Sequence, residues 1–131
     1  MKHYVVGNIA SRYDAYLEIK MFLGSGDRLY LVGNTVGLHE GGAEIVLDTA
    51  KDHRVSIIKG EFDHNVSLLY DELNRDQYTD LYYGCKLFTN EYLLKSYEKL
   101  TPDQRKTIAA VLHNAPAWVE LTVGDKTYAL K

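Results

Sequence analysis

Three short apolar runs in this chain each break on a glycine into a polar loop. They are Val5-Val6-Gly7-Asn8-Ile9-Ala10-Ser11, Leu31-Val32-Gly33-Asn34-Thr35-Val36-Gly37 and Ile57-Ile58-Lys59-Gly60-Glu61-Phe62-Asp63. Between them lie two segments with helical spacing of apolar residues. The first runs from Ser11, read as a helix cap supported by Asp14, and buries Ala15, Ile19, Phe22 and Leu23. The second covers Ala43 to Ala50 and buries Ile45 with Val46 or Leu47. Strands at Tyr4–Val6, Leu29–Val32 and Val55–Ile58 complete a βαβαβ order. That order predicts an α/β fold with a parallel sheet and flanking helices. The loops after the strand ends then form the rim where such sheets carry function.

The middle of the chain reads as helical. Val66, Leu69, Tyr70 and Leu73 recur at helical spacing, and residues 75–99 read as shorter, tyrosine-rich helices. Thr101-Pro102-Asp103-Gln104 combines a threonine cap, proline at the first helical position and glutamine three after the cap. The helix it starts should run to about His113, before Pro116. Val119–Val123 and Lys126–Leu130 alternate around Gly124-Asp125, which predicts a C-terminal β-hairpin.

At 131 residues and 46% hydrophobic, the chain is expected to form one domain over residues 1–131 with its own core. A net charge of −3 argues against a general nucleic-acid binder. The single cysteine, Cys85, excludes an internal disulfide framework and reads as a small packing residue. No run approaches the roughly 18–20 apolar residues that span a bilayer, and the first residues lack a signal peptide's apolar stretch. Cytoplasmic residence is the expectation.

The order and spacing of the three glycine loops resemble the calcineurin-like metallophosphatases, in particular the phosphoprotein phosphatase and diadenosine tetraphosphatase branch. That family reads GDxHG, GDxxDRG and GNH(D/E) at these places. The flanks agree: Ser11-Arg12-Tyr13-Asp14-Ala15 is similar to "GRYDAL" and Gly26-Asp27-Arg28-Leu29-Tyr30-Leu31 to "GDRLYLLGD". Leu100–Arg105 and Trp118–Val123 are similar to the helix and strand before the family's "VHAG" motif. The likeness spans nearly all of this chain and the first half of the family's domain, so it implies a truncated metallophosphatase-like fold.

Carried over residue by residue, the resemblance implies a degraded site. The family's first aspartate falls on Asn8, its histidine on Ala10 and its closing glycine on Ser11. The bridging aspartate falls on Asn34, and the later aspartate, arginine and glycine on Gly37, Leu38 and His39. The metal-binding asparagine falls on Glu61 and the catalytic histidine on Phe62, while Asp63 keeps the final acidic position. Hydrolysis in this family uses two cations about 3.5–4 Å apart to generate hydroxide and neutralise charge on phosphorus. Asn8 and Asn34 offer only a neutral amide oxygen, and Ala10 and Phe62 offer no ligand. The expectation is a protein without catalysis, cofactor or metal.

His39, Glu40, Glu61, Asp63 and His64 are the residue types that could rebuild a metal site, though spacing alone does not bring them together. The segment from Glu61 to Tyr83 is the alternative functional surface. It holds Glu61, Asp63, Asp71, Glu72, Asp76 and Asp80 against Arg75, with Tyr70, Tyr78, Tyr82 and Tyr83. Asp76, Tyr78, Asp80, Tyr82 and Tyr83 are the candidate contacts for a protein partner with a basic surface. An ordinary solvated helical face accounts for the same residues equally well.

The main expectation is therefore a metallophosphatase-like protein acting through protein–protein interaction. An inhibitor of a host nucleic-acid-handling complex, carried by a phage or mobile element, is one concrete form. The competing readings are a divergent metal-dependent phosphohydrolase with a rebuilt or partner-completed site, and a structural subunit of a larger assembly. Apolar surface left by the short domain would be resealed, covered by another protein, or covered by a second copy in a homo-oligomer.

Overall fold

The computed structural model describes residues 1–37, 39–75 and 91–131, the side chain of Glu91 excepted. Among these residues the strands are β1 (His3–Gly7), β2 (Arg28–Gly33), β3 (Val55–Lys59), β4 (Val119–Val123) and β5 (Lys126–Leu130). The helices are α1 (Tyr13–Lys20), α2 (Gly42–Lys51), α3 (Glu61–Leu73), α4 (Glu91–Lys99) and α5 (Pro102–Asn114). β1, β2 and β3 pair in parallel in that order, and β4 and β5 form a separate antiparallel hairpin. The mixed α/β class is thus present, and the described elements follow the predicted order; of the helices predicted over residues 75–99, α4 is described and residues 76–90 lie outside the described residues.

Strand alternation divides the parallel sheet into two unlike faces. On one, Tyr4, Leu29 and Val55 lie in one row and Val6, Leu31 and Ile57 in the next. Leu29, Leu31, Val55 and Ile57 are buried there, joining Ile45 and Val46 of α2, Val66 and Tyr70 of α3, and Ile108 and Leu112 of α5. Two right-handed crossovers in the order β1-β2-β3 put α1 and α2 on the same face, which places the main core cluster there. On the opposite face Val5, Tyr30 and Ser56 share a row in which Val5 remains 49% exposed, while Gly7, Val32 and Ile58 form the next row, where Ile58 is fully buried outside the main core cluster. The apolar side of the hairpin (Leu121, Val123, Tyr128 and Leu130) borders an open crevice of about 660 Å³ against β1. No hairpin residue belongs to the buried core cluster.

Three polar devices fasten the helices. The predicted cap of α5 is present: Thr101 Oγ1 accepts from Gln104 N at 3.2 Å, and Gln104 Oε1 accepts from Thr101 N at 3.0 Å. At the other end of α5, Lys59 Nζ donates to the His113 carbonyl at 3.3 Å, placing a cation where the helix dipole favours one. Between α1 and α2, the fully buried Tyr16 donates its hydroxyl to Asp48. Lys20 bonds Asp48 and, at 2.8 Å, Asp52, while Arg54 grips Asp52 through Nε at 2.9 Å and Nη2 at 2.7 Å.

Ionisation of this cluster is shifted in consistent directions. Hydrogen bonding to Arg54 holds the Asp52 carboxyl well below its usual range, against partial burial and with help from Lys20. Burial pulls Lys20 down, but its bonds to Asp48 and Asp52 outweigh it and hold the ammonium above its ordinary value. Burial, then the bond to Asp48, pushes the Tyr16 phenol up. A depressed carboxyl stabilises the fold above its unfolded pKa and loses that contribution as pH falls through the folded value. Asp52→Asn should therefore cost about 1 kcal/mol at pH 7 and flatten the acid limb of stability below about pH 4. Urea midpoints at pH 7, 4 and 2.5 check this; a parallel loss of stability in parent and variant would assign the acid limb elsewhere.

Some expectations for α1 are not met. Ser11 does not cap it: Arg12 stands at the cap position without a side-chain hydrogen bond, and Ser11 Oγ instead accepts from Gly37 N at 2.7 Å. The helix ends at Lys20, so Phe22 is 75% exposed and not part of an inner face. The residue buried from this helix is Tyr16, whose hydroxyl is satisfied by Asp48.

Candidate functional site

The C-terminal ends of β1, β2 and β3 gather the first two glycine loops and the start of α3 on one rim. The β1–β2 ladder continues into their loops: Asn8 N, Ala10 N and Ser11 N donate to the carbonyls of Val32, Asn34 and Thr35 at 2.8, 2.9 and 2.9 Å. To hold this course Asn8, Ala10 and Ser11 take φ of 52°, 46° and 66°. That left-handed region is costly for residues with a side chain, and three in so short a loop mark a strained segment. The third segment is hardly a loop at all. Gly60 leads directly from β3 into α3.

Side chains then cross-link the rim. Asn8 Oδ1 accepts from Asn34 N at 3.2 Å, and Asn34 Oδ1 accepts from Phe62 N at 3.2 Å. Asp63 is fully buried and reaches across from α3. Its Oδ1 accepts from Val36 N at 2.8 Å and Thr35 N at 3.0 Å, and its Oδ2 accepts from Gly60 N at 3.1 Å. Burial pushes the Asp63 carboxyl above its ordinary pKa, opposed by the N–H groups of Thr35, Val36 and Gly60. The rim is thus a relay from β1's loop through β2's loop to the first turn of α3.

The residues placed at family site positions fall as follows. Asn8 is exposed and Asn34 half-buried directly after the ends of β1 and β2, and Ala10 is half-buried. Gly37 is buried, and a Cβ there would lie 2.8 Å from the Ala10 carbonyl oxygen. Glu61 is exposed and Phe62 half-buried in the first turn of α3, with Phe62 packed against the core. Leu38 lies outside the described residues, as do Asp76, Tyr78, Asp80, Tyr82, Tyr83 and Cys85.

The acidic, tyrosine-rich segment loses two members to the interior. Asp63 spends its charge on the rim, and Tyr70 is 3% exposed, packed edge-on to Tyr97 at 5.1 Å between ring centres. What its described part presents outward includes Glu61, Leu68 and, half-buried, Asp71 and Glu72. Asp71 lies 3.7 Å from His113, and Glu72 lies 3.4 Å from Arg75.

The donor chemistry does not fit a two-cation centre. Asn8 and Asn34 contribute neutral amide oxygens that already accept backbone N–H groups, and both Asp63 oxygens are filled in the same way. The His39 ring lies tilted at 57° to that of Tyr92 with centres 6.3 Å apart, and Glu40 lies 3.7 Å from Lys99. Among the described residues, no three of His, Cys, Asp or Glu converge as a ligand set, so His39, Glu40, Glu61, Asp63 and His64 are not brought together as one.

A scan against protein-family models finds no match for this chain, and a search of curated proteins likewise finds none. The metallophosphatase resemblance rests on the quoted motif residues. No helix among the described residues is long and apolar enough to cross a membrane.

Proposed function

We propose that this chain is a non-catalytic relative of the metallophosphatases that works by binding another protein. One observation carries the reading: the strand-end positions where the resemblance places anionic metal ligands hold two amides already engaged in fastening the loops. A rim of that kind supplies neither a nucleophilic hydroxide nor charge compensation for a phosphoryl group. The partner is a protein with a basic surface, steered by the acidic segment that begins at Glu61. An inhibitor of a nucleic-acid-handling complex would meet that description, since a basic groove is the surface such complexes offer.

Two measurements test this reading. With added manganese, p-nitrophenyl phosphate should be hydrolysed at the rate of buffer alone. Turnover that follows the protein through purification and is abolished by Glu61→Gln would replace the reading with a divergent phosphohydrolase. For the partner recovered from the native host, Asp76→Lys with Asp80→Lys should slow association about tenfold at low salt and flatten its salt dependence. Unchanged association by the folded double variant would remove this segment from the interface.

A further inference from the structure

The two rim amides hold backbone hydrogen bonds that a carboxylate of the same shape would hold equally well. Asn8 Oδ1 takes the Asn34 N–H, and Asn34 Oδ1 takes the Phe62 N–H. An aspartate at either position keeps one oxygen for that bond. The difference lies in the second atom: an amide presents an N–H₂ donor where a carboxylate presents another acceptor and a negative charge. With each oxygen turned to a backbone N–H, the nitrogen is the atom left over. Among the described residues, neither Asn8 Nδ2 nor Asn34 Nδ2 donates to another group. The rim therefore offers donors where a cation requires acceptors. Asp63, the carboxylate between these loops, cannot compensate because it is fully buried with both oxygens occupied.

We propose that Asn8 and Asn34 form a cation-excluding lock: they keep the loop rim hydrogen-bonded while denying it to divalent metal ions. This is the reverse of the metal-bridged rim that the resemblance implies. It concerns only the rim and stands whether or not the acidic segment binds a protein. The loop ladder, the strained backbone and the Asp63 bonds do not depend on which atom, O or NH₂, completes each side chain.

The test is the paired variant Asn8→Asp with Asn34→Asp, compared with the parent in EDTA and in millimolar manganese chloride. Thermal unfolding and metal retained after gel filtration are both read. The parent should melt at the same temperature in both and retain no metal. The paired variant should melt lower in EDTA, because two new carboxylates stand near Glu61 and Asp63 without compensation. Manganese should raise its melting temperature by about 5 °C or more, with metal retained. A parent stabilised by manganese overturns the lock, and so does a folded paired variant as indifferent to manganese as the parent. If the paired variant folds in neither condition, Asn34→Asp alone decides. A manganese-dependent rise supports the lock, and its absence overturns it.

Discussion

Replacing Asp63 by alanine should lower the unfolding free energy by about 3–5 kcal/mol. The carboxylate is fully buried and receives three backbone N–H groups from two other parts of the rim: Thr35, Val36 and Gly60. Alanine leaves those donors in the interior, and each unsatisfied group costs about 1–3 kcal/mol, less whatever an entering water recovers. The charge itself is a cost of opposite sign. Burial raises the Asp63 pKa, so the protonated carboxyl contributes stability that is present below the unfolded value and lost as pH rises through the folded one and the group ionises. Asparagine removes that cost but turns one N–H₂ toward a backbone donor, so Asp63→Asn should be destabilising by a smaller amount. Urea unfolding at pH 7 orders the three proteins. An alanine variant within about 0.5 kcal/mol of the parent would show that the three N–H groups find other acceptors.

The fate of Asp63 also shows what was legible in the sequence and what was not. The hairpin residues, the three strands and the α5 cap follow from local signals, namely alternation, glycine breaks and a threonine-proline start. Each of these is decided within a few residues. Asp63 is decided by N–H groups of Thr35 and Val36, 28 and 27 residues earlier in the chain. Its residue type alone does not distinguish it from Asp71, which is half-buried and faces His113. The available hint was its place three residues after the glycine that starts α3, where a carboxylate turns back to the helix start. Tyr16 is hidden from the sequence for a related reason, and Tyr70 reads equally as part of the helical apolar spacing and of the acidic, tyrosine-rich surface. A tyrosine suits an interface or a core equally well until its hydroxyl finds a partner, and Asp48 of α2 is the partner of Tyr16.

The candidate site was legible in position but not in chemistry. Asn8 and Asn34 stand at the strand ends, as the glycine loops implied. By sequence their amides are ligands lost. In the structure each is a bond made, since each oxygen ties its loop to the next segment. Such a relay has no sequence signature, because its donors are backbone N–H groups that every residue other than proline carries. The spacing brought the loops together, and only the folded backbone shows what the side chains do there.

The same close approach makes Gly41 the most demanding glycine of the rim. Its φ of +114° lies where residues with a Cβ are rarely found, and it forms the N-cap of α2. A Cβ there would collide with the Ser11 carbonyl oxygen and stand 3.1 Å from Tyr13 Cβ. The Ser11 carbonyl cannot retreat easily, because it accepts from Tyr13 N while Ser11 N is held by the Thr35 carbonyl at 2.9 Å. Gly41→Ala therefore combines a strained backbone with a backbone clash and should cost about 3 kcal/mol. Ala10→Gly is the matched opposite. Its φ of 46° is strained for alanine and free for glycine, so this change should stabilise by up to about 1 kcal/mol. Denaturant midpoints for the two variants should fall on opposite sides of the parent. If Gly41→Ala melts with the parent, the first loop has room to move, and the rim is looser than its hydrogen bonds imply.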